Sequence, residues 1–139
     1  MSKKKVASIL TSVTALGYLA TAALHRTGFE FITAQAEQAP PDLRALAPAL
    51  WLMFSLDLTV LGLILGVIAF NSATGGARYV VVIAGLCPLG AAVLQLIYLG
   101  FIPPTALLLA IAALSFVSAA LMPGRGRSSG SRTDDVVTR

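Results

Sequence analysis

The stretch APALWLMFSLDLTVLGLILGVIAF, residues 47–70, decides the fold. It carries a single charged side chain, Asp57, and at about 1.5 Å per residue it is long enough to cross a hydrocarbon core of about 30 Å. Pro48 falls in the first turn, where a missing N–H costs no intrahelical bond. Backbone polar groups in lipid must be satisfied within their own segment, so a helix is the reading that such a run allows.

Three further runs of the same kind flank it. A first span covers about 6–24 and follows Lys3, Lys4 and Lys5; a third covers about 79–101 and a fourth about 104–122. Lysines leading into an apolar run also describe a signal peptide, but this run is long for one and leads into His25-Arg26 instead of a small-residue cleavage site. Gly75-Gly76 marks a turn between the second and third spans. Pro103-Pro104 makes the last connection so short that the third and fourth spans must be antiparallel neighbours. The expected fold is an all-α membrane protein, a four-transmembrane-helix bundle over residues 1–122.

Composition agrees with this reading. Of 139 residues, 57% are hydrophobic and 12% charged, with a mean hydropathy of +0.85, too little charge to cover a soluble domain. Four spans leave no room for a globular catalytic domain. One Cys and one His exclude a disulfide framework, a dithiol relay and a His-rich metal cluster within one chain. The expectation is no metal and no cofactor.

The net charge of +4 does not point to nucleic acid, because the basic residues sit at the chain ends and beside the spans. Three precede the first span, Arg26 and Arg44 lie in the first loop, Arg78 in the second, and four in the tail. This alternation places both termini in the cytoplasm. The loop 25–46 is then external and covers the outer mouth of the bundle, with Asp42 expected to cap a short helix through Leu43 and Leu46. Residues 123–139 read as a disordered basic cytoplasmic tail, whose Arg125, Arg127 and Arg132 can meet anionic membrane lipids.

Polar residues at depth carry the functional reading. Asp57 lies about ten residues into its span, roughly 15 Å deep, where a carboxylate must be protonated, paired or wet. Thr11, Thr14, Tyr18 and His25 share one face of the first span, and Ala84, Pro88, Ala91, Gln95 and Tyr98 share one face of the third. Ser115 stands at the depth of Asp57. These residues outline an outward-opening pocket with Asp57 at its base, Gln95, Tyr18 and Tyr98 on its walls, Thr14 and Ser115 contributing, and His25 at its lip. The competing reading is structural: hydroxyls bonding their own helices, and Tyr18 and Tyr98 joining Trp51 in an interfacial belt. Gly62 and Gly66 form a GxxxG face that suits a close helix approach, a homodimer or a larger membrane complex. Cys87, followed by Pro88, reads as inert packing at a kink.

The run Ala23-Leu24-His25-Arg26-Thr27-Gly28-Phe29, the segment Ser55-Leu56-Asp57-Leu58 leading to Gly62 and Gly66, and the exit Pro123-Gly124-Arg125-Gly126 together resemble DoxX-type four-helix membrane proteins. Arg26 and Asp57 stand where that family often has Lys and Glu. The resemblance implies a small protein of a prokaryotic cytoplasmic (inner) membrane, associated with quinone or redox complexes, and supplies no catalytic residues.

Three functions follow from these residues. The chain is an accessory subunit or a binder of a lipophilic small molecule around Asp57. Alternatively it is a membrane enzyme in which Asp57 performs acid/base chemistry, with Gln95 or Tyr18 orienting the substrate, in isomerisation, epoxide opening or cyclisation. A third reading is proton-coupled transport through Asp57.

Overall fold

A computed structural model of the chain describes residues 1–71 and 76–122. The tail beyond Met122, and with it the expectations for Arg125, Arg127 and Arg132, lies outside them, as does Gly75 of the glycine turn. Among the described residues the structure is entirely helical: α1 (Lys3–Thr27), α2 (Phe29–Ala36), α3 (Pro41–Arg44), α4 (Leu46–Phe70), α5 (Ala77–Tyr98) and α6 (Pro103–Leu121). The helices α1, α4, α5 and α6 are long and apolar enough to cross a membrane. The chain is a multi-pass integral membrane protein built as a four-helix bundle.

Helix boundaries follow local chemistry. The Ser2 side chain accepts a hydrogen bond from the Lys5 amide and starts α1, which satisfies one of the orphan donors of a helix N-terminus. Pro103 and Pro104 occupy the first positions of α6, where φ is already suited to a helix and no donor is lost. The segment expected as an external loop is mostly helical, since α1 runs on to Thr27 and α2 follows at once. Asp42 does not cap the next helix: Pro40 takes the cap position and Asp42 lies inside the first turn of α3. That helix stops at Arg44, and Ala45 separates it from α4. The two prolines set the start two residues too early for Asp42 to serve as a cap.

The order of packing is α4, α1, α6, α5. The first span is central, with α4 on one side and α6 on the other, and α5 packs on α6 as the short proline turn requires. By contrast α4 and α5 scarcely touch. The interior is made mainly of small residues, with Ala7, Ala15, Ala84, Ala112 and Ala119 buried beside Tyr18, Leu58, Leu65, Val81 and Ile111. Large aliphatic side chains such as Leu16, Leu63, Ile83 and Val67 point outward. In lipid there is no hydrophobic force between helices, so close backbone approach and hydrogen bonds hold them together.

Gly62 shows the close approach. A Cβ there would lie 2.9 Å from the Leu19 side chain and 3.2 Å from the Ala15 carbonyl oxygen, whereas Gly66 has nothing within 4 Å. Half of the GxxxG face is thus spent within the chain, seating α4 on α1. Hydrogen bonds tie the same central helix to its neighbours. Ser8 donates to the Ala69 carbonyl of α4 at 2.7 Å, and Ser118 of α6 donates to the Ala7 carbonyl at 3.1 Å while its oxygen contacts Thr11 Oγ1. Among the described residues no buried side-chain nitrogen or oxygen lacks a partner.

Candidate functional site

Asp57 stands one residue from the centre of the 25-residue α4. The buried seam of that helix is Ser55, Leu58, Gly62, Leu65 and Ala69. Beside it, at the same alternating spacings of three and four, runs a second stripe of Leu50, Phe54, Asp57, Leu61, Ile64 and Ile68. Phe54, Leu61 and Ile68 of this stripe pack partly against the core, while Leu50, Asp57 and Ile64 are exposed. The stripe turns toward the side on which α5 does not close. Cys87 of α5, also exposed, is near enough to Asp57 to interact with it electrostatically. No described side chain hydrogen-bonds or ion-pairs with Asp57.

The residues expected around Asp57 stand elsewhere. Tyr18 is fully buried, and its hydroxyl donates to the Ala84 carbonyl of α5. That carbonyl would ordinarily accept from the amide of residue 88, but Pro88 has none. The phenol thus fills a vacancy in the α5 ladder and does not face an opening. Thr14 and Ser115 are buried and donate to the carbonyls four residues earlier, Leu10 at 2.8 Å and Ile111 at 2.9 Å, as the structural reading has it. Gln95 is half-buried and its Oε1 accepts from Thr105 Oγ1 at 2.8 Å, which pins the outer part of α5 to α6. Tyr98, at 79% exposure, is in a belt position at the end of α5. The expected meeting of Asp57 with Gln95 across one helix interface does not form, because the helices that carry them are not packed together.

His25 belongs to a separate cluster at the end of the bundle that carries α2 and α3. Its Nδ1 is 2.8 Å from Ser55 Oγ, and its ring stacks on Trp51 with centroids 3.8 Å apart and meets Phe54 edge-on at 4.9 Å. The Trp51 indole N–H donates to the His25 carbonyl at 2.7 Å. Gly28 makes room for the indole, since a Cβ there would lie 2.7 Å from Trp51 Cζ2. Arg26 points away and lies over the Phe29 ring, 4.6 Å from its centroid, a cation–π contact. Trp51 and Ser55 were not expected in a site with His25. Their spacing of four on the second span was the available signal.

Chemically the two places differ. The His25 cluster is a polar knot among aromatic rings, and Asp57 is an isolated carboxyl on an apolar stripe. Among the described residues no group of three His, Cys, Asp or Glu side chains could hold a metal ion. No protein-family model, curated protein or solved structure matches the chain.

Proposed function

We propose that the protein is an accessory subunit of a membrane complex, and that it holds a transmembrane helix of a different protein along the open stripe of α4. One observation carries this reading: Asp57 lies at mid-span, exposed, with no partner among the described residues. An acidic side chain at that depth costs about 2.5–3.5 kcal/mol on insertion scales. A donor or cation from a partner helix removes that cost only in the assembly. The hydrocarbon neighbours Leu50, Leu61 and Ile64 supply van der Waals contact at the same spacing, and a lone polar position in such a stripe sets register.

The partner is unlike this chain. Its Lys and Arg residues lie at the helix ends or in the connections and tail, so a second copy placed on the same stripe would set one Asp57 against another. A helix with a Lys, Arg, His or Asn at mid-depth is complementary.

The test is site-specific photocrosslinking in native membranes, with the reactive residue placed at Leu50 or Ile64 and, as controls, at Leu16 or Leu63 on the α1–α4 surface. The expected result is one discrete adduct from the stripe positions and none from the controls. Asp57→Leu should lower its yield more than tenfold, and Asp57→Asn less. An adduct that forms equally with Asp57→Leu, or equally from the control positions, overturns the proposal.

A further inference from the structure

Between the ends of α1, α4 and α6, on the side away from Arg26, the bundle forms a half-open cavity of about 350 Å³, within the usual range for small-molecule sites. Thr21, His25, Trp51, Pro103, Pro104 and Leu107 line it. Nearly every polar group on these walls is already committed. Thr21 donates to the Gly17 carbonyl at 2.7 Å, the Trp51 indole donates to the His25 carbonyl, and the prolines bring no N–H. The imidazole of His25 remains.

Its hydrogen bonds assign its two nitrogens. Both contacts of Ser55 Oγ are hydrogen bonds together only when its one proton goes to the Trp51 carbonyl at 3.1 Å and His25 Nδ1–H donates to it at 2.8 Å, which assigns the ring proton to Nδ1. Nε2 of the neutral ring is then a bare acceptor, and no described residue donates to it. The Trp51 stack and the Phe54 edge fix the ring plane, which fixes the direction of that lone pair. Ser55 lines the groove on the opposite side of the α1–α4 pair, together with Arg26, so the ring is held by its Nδ1 edge from one side while the cavity lies on the other.

We propose that this cavity binds an uncharged amphiphile with a single hydroxyl head, which donates to Nε2 of His25 while its hydrocarbon chain lies against Leu107 and the two prolines. The chemical class follows from the walls. A carboxylate or phosphate would bring charge against a lone pair with no cation in the lining, and a cation would find no counter-charge. An alkane would leave Nε2 without a donor. This site is separate from the Asp57 stripe and does not depend on how that stripe is used.

The test uses the full chain in phospholipid nanodiscs, with a diazirine-bearing straight-chain alcohol and its methyl ether as probes and labelled positions read by peptide mass spectrometry. The alcohol should label residues around Thr21 and Leu107, about fivefold more than the ether, the ratio expected for one neutral hydrogen bond. His25→Phe keeps the aromatic stack and removes the acceptor, and should bring the alcohol down to the level of the ether. Leu107→Trp fills the cavity with the histidine untouched and should abolish labelling there by both. Equal labelling by alcohol and ether in the unaltered chain overturns the proposal, as does labelling spread evenly over the lipid-facing surface or persisting in Leu107→Trp.

Discussion

At the scale of single residues, the pairing of Tyr18 with Pro88 is the most informative contact in the bundle. Pro88 alone leaves the Ala84 carbonyl without its helical partner, and Tyr18 alone places a hydroxyl in an apolar interior; each relieves the cost of the other. Tyr18→Phe is therefore expected to destabilise the bundle by about 1 kcal/mol, in the range for interhelical hydrogen bonds in membranes. In a Pro88→Ala background, where the amide of residue 88 returns, the same substitution should cost little. Reversible unfolding in mixed micelles across this double-mutant cycle measures the difference, and an equal loss in both backgrounds would show that the phenol does something else. Both residues stood out in the sequence, Tyr18 as a wall of the expected pocket or a member of the belt and Pro88 as a kink. Their connection was not legible, because it depends on which helices are neighbours and at what height. The same is true of Thr14, Ser115 and Gln95, whose bonds satisfy the fold locally or to α6. Asp57 was legible as the one acid inside a span, and the structure places it one residue from the centre of α4.

At the scale of helices, the four spans could be read directly, since length and hydropathy are properties of the chain itself. Boundaries moved where a local device acted: α1 extends to Thr27, and Pro40-Pro41 displaces Asp42 from the cap. Neighbour choice was harder. Every span has a small or polar face, and only the short turn at Pro103 forces one pair together. The contact of α4 with α1 rests on Gly62, so Gly62→Val is expected to cost about 1–3 kcal/mol through forced displacement of Leu19 and the Ala15 backbone. Gly66→Ala, one turn away with open space around it, should stay within about 0.5 kcal/mol of the parent. Thermal denaturation in detergent of the two variants side by side checks both values, and similar losses would mean that the two glycines share one contact. Thr105→Val should loosen the far end of α5 by removing the donor to Gln95, which faster amide exchange in the last two turns of α5 than in its first turns would report.

At the scale of the whole molecule, the bundle is a row folded back on itself but left open between its first and last members, α4 and α5. This opening is where stability and assembly are expected to part. Asp57→Leu should leave the isolated chain as stable as the parent or more so, because it removes an unpartnered acid from the lipid-facing stripe, while it abolishes the heterologous contact. Unfolding of the purified chain measures the first effect and native electrophoresis of mild-detergent extracts the second; a variant that loses both would place Asp57 inside the fold instead of at an interface. The central place of α1 has a further consequence, for biogenesis. Of these four spans, the earliest to leave the ribosome is the one that two others need, so α4 can dock as soon as it emerges. The next helix, α5, then enters the bilayer with almost nothing to hold it until α6 follows through the short proline turn. Membrane insertion should accordingly proceed as two hairpins, with the second arriving as a preformed pair.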